Sequence, residues 1–118
     1  TLVSSKKWNN QFRFINIPNN FKPSWMGFPI LLSERFRNKK KRFVNYLDSK
    51  GIETRPIISG NFLNQPAAKL YKLNKERRSY PNTQAVQELG FLIGLHTKKI
   101  DEIKLKLIHD AFFKIDSL

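Results

Sequence analysis

The residues best equipped for chemistry crowd into one stretch, Gly51 to Pro66, "GIETRPIISGNFLNQP". Arg55 carries a planar guanidinium that can hold a phosphate or a carboxylate. Ser59, Gly60 and Asn61 end a run of β-formers (Ile52, Thr54, Ile57 and Ile58). A Ser-Gly-Asn turn at that point offers backbone N–H groups beside a side-chain amide. Gln65 adds a second amide just downstream. Such a loop suits a polar, anionic ligand. An ordinary turn is the plainer reading, and the residue types alone leave both open.

The other candidates are weaker. "RNKKKR", Arg37 to Arg42, is a basic run of the kind that meets nucleic acid. It falls at the start of an expected helix, whose positive dipole end disfavours it and where phosphate binding would offset that cost. Aromatic residues are available for base stacking, but no RNA-recognition or zinc-finger signature surrounds the run. A solvated helix face is the alternative. His96 and His109 are the only histidines, and the chain has no cysteine. A zinc site needs about three or four ligands, so we expect no metal and no catalytic histidine. The serines have no nucleophile-elbow context. The glycines form neither a G-x-G-x-x-G nor a P-loop pattern. No self-sufficient catalytic set is present.

The elements that must position these residues follow from pattern. Phe12, Phe14, Ile15 and Ile17 suit a short strand ending at Pro18. Trp25 to Leu32 reads as a strand in which Pro29 marks an edge or a bulge. Phe36, Phe43, Val44 and Leu47 recur at helical spacing, so Arg35 to Lys50 is an expected amphipathic helix stopped by Gly51. Glu53 to Ile58 is the next strand, and Gln65 to Leu73 a helix with Pro66 in its first turn. Lys72 to Tyr80 is a charged linker. Asn82 or Thr83 caps a helix running to Leu89 that Gly90 closes. Phe91 to Leu95 is a buried strand. The last helix carries the stripe Ile100, Ile103, Leu107, Ala111 and Ile115, widened by Ile108 and Phe112, with Thr97 as its cap. The order β-α-β-α-α-β-α, with an extra N-terminal strand, predicts a two-layer α/β sandwich. Pattern does not fix the strand directions.

The chain has 118 residues, enough for a single domain (residues 1–118) with one modest core. It begins at Thr1 and is expected to be a piece of a longer or processed protein. The formal charge is +13, and +9 of it falls in residues 1–50. A field of that sign attracts polyanions, although a codon bias toward Lys and Asn explains the same composition. No apolar run approaches the ~20 residues of a membrane span, and no signal-peptide core is visible. The lack of cysteine fits a reducing compartment, and a cytoplasmic location is expected.

Four blocks then stand in order: "SWMGFPILL" (Ser24 to Leu32), "GIETRPIISGNFLNQPA" (Gly51 to Ala67), "YPNTQAV" (Tyr80 to Val86) and "GFLIGLH" (Gly90 to His96). Together they resemble the C-terminal domain of the DegT-type (DegT/DnrJ/StrS) sugar aminotransferase family, and more narrowly its nucleotide-sugar 3-dehydratase branch, which includes CDP-4-keto-6-deoxyglucose 3-dehydratase. The resemblance spans roughly Pro23 to Phe113 and is most specific in T-R-P-I-x-x-G-N-x-x-x-Q-P. It departs from the family after His96, where "HTKKID" replaces the common H-P-G-L-T pattern.

The resemblance implies the small C-terminal domain of a fold-type-I pyridoxal phosphate (PLP) enzyme. Such enzymes hold PLP or pyridoxamine phosphate (PMP) in a large N-terminal domain. They remove the C3 hydroxyl of a nucleotide-diphosphate-linked 4-keto-6-deoxy sugar, usually for lipopolysaccharide O-antigen, and act as homodimers. The cofactor domain has no counterpart in these residues. The chain by itself is therefore expected to be inert and to hold no cofactor, and dehydratase and aminotransferase are not separated. Carried over, Arg55, Ser59, Gly60, Asn61 and Gln65 are expected to converge on one concave wall of the substrate and cofactor pocket. Trp25 and Gly27 are expected beside it. In this reading Arg55 faces an anionic group, and Asn61 bonds a sugar hydroxyl or a cofactor oxygen. A stand-alone basic module binding nucleic acid or another polyanion is the alternative function.

Overall fold

The computed structural model describes residues 10–73 and 80–118. Strands β1 (Phe12–Phe14), β2 (Gly27–Leu32), β3 (Thr54–Arg55) and β4 (Gly90–Gly94) form one sheet in the order β1-β2-β4-β3, antiparallel at every pairing. Helices α1 (Lys40–Ser49), α2 (Ala67–Leu70), α3 (Pro81–Leu89) and α4 (Glu102–Phe113) interleave with the strands in the expected order. Mixed helix and antiparallel sheet fit a small α/β domain.

The strand register places the core. Phe12 stands opposite Leu32, Phe14 opposite Ile30, Ile30 opposite Phe91, and Phe28 opposite Ile93. Directly opposed residues share a face, so all of these side chains point one way. Onto that face α1 places Phe43 and Leu47, α4 places Ala111 and Phe112, and the 3-10 turn after α4 adds Ile115. Phe12, Phe43, Phe91 and Phe112 meet there. Phe12 and Phe112 have ring centroids 5.1 Å apart, and the Phe43 ring stands edge-on to Phe112 at 5.6 Å and to Phe91 at 6.0 Å. Pro29 lies in an inner strand, but β1 pairs with β2 only as far as Ile30. At Pro29 the sheet therefore has a partner on the β4 side alone, which a residue without an N–H tolerates.

Several expectations change in detail. The first helix opens as a 3-10 segment, Glu34–Lys39, before α1. The strand expected over Glu53 to Ile58 shrinks to Thr54–Arg55, because Pro56 lacks an N–H and Ile58 has a φ of +41°. Helix α3 begins at Pro81 with Tyr80 as its cap, so neither Asn82 nor Thr83 caps it; Gly90 closes the helix after Leu89 as expected and also opens β4. Gly90 is required by crowding: a Cβ there would come within 2.5 Å of the Val86 carbonyl oxygen and 2.6 Å of Ile57. Asp101, not Thr97, caps α4, its carboxylate accepting from the Lys104 N–H at 2.8 Å. The expected stripe on α4 is rotated. Ile103 is 82% exposed and Leu107 is exposed, while Ile108, Ala111, Phe112 and Ile115 turn inward. Only the C-terminal half of α4 lies on the sheet, so its first turns cover nothing there. Most of the expected charged linker lies at residues 74–79, outside the described residues.

Two measurements check this frame. Phe43→Ala removes the ring that touches Phe12, Phe91 and Phe112. It should cost about 3–5 kcal/mol in urea unfolding, a large share of the 5–15 kcal/mol typical of a domain. The Asp101 carboxyl is held below its ordinary value of 3.8 chiefly by the Lys104 N–H. A depressed carboxylate stabilises the fold above its unfolded pKa, and that contribution is lost as pH falls through the folded value. Asp101→Asn keeps a neutral cap and should flatten part of the fall in melting temperature below the ordinary aspartate range. Identical acid profiles for the two proteins would remove this cap from the acid sensitivity.

Candidate functional site

The loop after β3 is built by two local devices. First, the Gly60 N–H donates to the Ile57 carbonyl at 2.9 Å, closing a tight turn. Positive φ falls on Ile58 (+41°) at its first central position, where glycine is normally preferred. Gly60 itself sits at φ +60°. Second, Asn61 caps the 3-10 turn Phe62–Asn64, its side-chain oxygen accepting from the Leu63 N–H at 3.1 Å.

Helix α3 then grips the loop through amides. The Gln87 side-chain oxygen accepts from the Asn61 N–H at 2.9 Å and from the Asn64 amide at 3.0 Å. The Gln84 oxygen accepts from the amides of Asn61 and Asn64, both at 2.9 Å. The Gln84 amide donates to Glu88 at 2.6 Å, and Glu88 pairs with Arg37. Lys40, at the start of α1, donates its ammonium to the Gln87 carbonyl at 2.7 Å. The Gln65 amide reaches back to the Ser59 carbonyl at 3.0 Å. The loop is thus tied to α3 through Asn61 and Asn64, and Lys40 ties α1 to the same helix.

These ties decide where the expected site residues lie. Ser59, Gly60 and Gln65 line one concavity of about 360 Å³, together with Lys40, Asn64 and Gln87. Asn61 is 2% exposed and bonded inward. It shapes the loop from behind and is not the open-loop amide expected from its position. Arg55 lines a different hollow beside Asp48 and Glu53, and its guanidinium pairs with Glu53. Gly27 stands at the end of β2 opposite Gly94, and Trp25 is exposed just before it. Neither lines the Ser59 concavity. The single convergent wall is therefore smaller than expected. Arg55 follows the strand direction, and Asn61 is drawn inward to satisfy a buried N–H.

Sequence reasoning missed Lys40, Gln84 and Gln87. The amides carried a faint signal as polar residues in a helix that must pack, and Lys40 was hidden inside the basic run. That run does not present one charged face: Arg37 pairs with Glu34 and Glu88, Lys39 lies over the Phe36 ring, and Lys40 turns toward Gln87. A larger hollow of about 600 Å³ opens between α4 and the end of β4, lined by Ile52, Ile93, Leu95, Leu107, His96 and Lys104. His109 stacks edge-on with Phe113 at 4.7 Å. Among the described residues, no three His, Asp or Glu side chains gather as a metal site would require. No described helix is long and apolar enough to cross a membrane.

The loop's rigidity can be read by mutation. Asn61→Ala strips the buried Leu63 N–H of its acceptor and should cost about 1–3 kcal/mol. Gly60→Ala forces a left-handed residue against Gln87, whose side chain would lie 2.9 Å from the new Cβ, and should cost about 1–3 kcal/mol as well. Urea denaturation with no change in either variant would show that the network does not hold the loop.

No protein-family model matches the chain. It is 32% identical over 81 residues to GDP-4-keto-6-deoxy-D-mannose 3-dehydratase of Escherichia coli O55:H7, covering 68% of this chain and 21% of that protein. It is 32% identical over 101 residues to lipopolysaccharide biosynthesis protein RfbH of Salmonella typhimurium, covering 80% and 22%. It is 28% identical over 81 residues to dTDP-4-dehydro-2,6-dideoxy-D-glucose 3-dehydratase of Saccharopolyspora spinosa, covering 69% and 17%. The chain spans about a fifth of the length of these curated relatives. By sequence, then, it is similar to deoxysugar 3-dehydratases over a segment about a fifth as long as they are.

Proposed function

We propose that this chain is the C-terminal small domain of a nucleotide-sugar 3-dehydratase of the DegT type. Its parent protein acts in the cytoplasm on the deoxysugars of lipopolysaccharide. The observation that carries the reading is the similarity to 3-dehydratases for GDP- and dTDP-linked sugars over two-thirds or more of the chain. In this reading the chain supplies the wall formed by Ser59, Gly60 and Gln65, and the rest of a homodimeric enzyme supplies the catalytic groups.

The concavity contains an ammonium, a hydroxyl and amides but no carboxylate. It can contact a phosphate or a sugar hydroxyl. It offers no acidic partner for a pyridine nitrogen, so it does not fit a pyridoxal cofactor as a whole. When held elsewhere in the parent, that cofactor would supply the electron sink for C3 deoxygenation. The role left to this chain is to orient the substrate through Ser59 and Gln65 and to hold the turn rigid through Asn61, Gln84 and Gln87. The alternative of a stand-alone module for nucleic acid has less support, because half of the basic run is engaged within the fold.

A chimera tests the proposal. The chain replaces the matching segment of the Escherichia coli relative, and loss of the C3 hydroxyl from the GDP-linked 4-keto-6-deoxy sugar is followed by mass spectrometry. Turnover is expected from the chimera and none from the chain alone. A folded, cofactor-loaded chimera without turnover counts against the assignment, as does turnover by the isolated chain.

A further inference from the structure

We infer that the Ser59–Gln65 concavity is a phosphate-binding site whose cation is Lys40. Among the described residues, Arg13, Arg35, Arg37, Arg55 and Lys104 each lie against a carboxylate. Lys40 does not. Its one bond goes to the Gln87 carbonyl in the last turn of α3. That end of a helix carries roughly half a negative charge, and the bond uses one of three ammonium hydrogens. Lys40 is half-buried, and desolvation pushes its pKa below the usual lysine value. A partly desolvated cation without a full countercharge is costly unless an anion completes it.

The remaining wall matches that anion. Ser59 offers a hydroxyl, the Gln65 amide keeps one hydrogen beyond its bond to the Ser59 carbonyl, and no carboxylate lines the space to repel an anion, while both hydrogens of the Asn64 amide already go to Gln84 and Gln87. The volume of about 360 Å³ admits a phosphate and part of what it is attached to. The wall is also held in shape at a cost. Ile58, on the rim, keeps a left-handed backbone that a β-branched residue disfavours while its side chain is 80% exposed. Such strain persists where the surroundings fix the conformation, and it clusters at ligand sites.

The inference rests on the dehydratase reading only for what carries the phosphate, which we assign to the diphosphate of a nucleotide sugar. Inorganic pyrophosphate, GDP and pyridoxamine phosphate are titrated separately into the 118-residue chain at physiological salt and followed by amide NMR. Pyridoxamine phosphate offers a phosphate without an aldehyde that would modify lysines. Pyrophosphate should shift Ser59, Gly60 and Gln65. Lys40→Met should weaken its binding about tenfold or more, and Lys41→Met, an exposed neighbour, should leave it within about twofold. Because Lys40→Met also loses the bond to the Gln87 carbonyl, its amide spectrum away from the loop should match the parent chain's, which shows that the fold is kept. Equal weakening by the two variants would reduce the effect to the diffuse field of a +13 chain and overturn the site. So would shifts confined to other residues. GDP binding more tightly than pyridoxamine phosphate supports the nucleotide source. The reverse order, with pyrophosphate still dependent on Lys40, would reject that source while leaving the anion site standing.

Discussion

Four phenylalanines from four separate elements meet at one point, and the rest of the fold hangs from that contact. Phe12 comes from β1, Phe43 from α1, Phe91 from β4 and Phe112 from α4. Each ring buries roughly 150–250 Å², which is a large part of what so short a chain can remove from water. The sheet supplies two of the rings and the helices the other two. The cluster therefore fixes both helices on the sheet in one step. It also explains why α4 contacts the sheet only near Phe112: beyond that ring its first turns run past the sheet face.

Once α1 is placed by Phe43, its first residue has little freedom. Lys40 lies next to the end of α3, and α3 is held by the strand it leads into. The loop after β3 is then held against α3 by hydrogen bonds, alongside the burial of Leu63. Gln84 and Gln87 accept four bonds from Asn61 and Asn64. Each is worth about 0.5–1.5 kcal/mol net when made, and more is lost when a buried donor is stranded. A loop fixed this way can keep the unfavourable backbone of Ile58 and still hold Ser59 and Gln65 in fixed positions. That is the property expected of a binding wall carried on a scaffold.

The surface divides along the same lines. Much of the positive charge is exposed, yet near the loop Arg37 is bound to acids and Lys40 is turned inward onto a carbonyl. Met26, Ile58, Leu70 and Ile103 are each 80% exposed or more. On the proposed function, the remaining four-fifths of a longer protein gives these residues something to meet.

The sequence alone was enough to order the elements. Alternating β-formers, the helical spacing of Phe43 and Leu47, and Gly51 at φ +76° after α1 are local properties, and each is visible in a window of a few residues. The block around Gly60 and Asn61 likewise marked a loop of unusual backbone, with Ile58 at φ +41° and Gly60 at φ +60°. What the sequence could not decide was direction and commitment. The antiparallel order β1-β2-β4-β3, the rotation of α4 that exposes Ile103, and the separation of Arg55 from Ser59 all depend on which faces meet across the chain. Asn61 reads on paper as a ligand-facing amide. Only the arrival of α3, some twenty residues later, turns it into a buried strut, because a backbone N–H taken from water must find its acceptor wherever the fold places one.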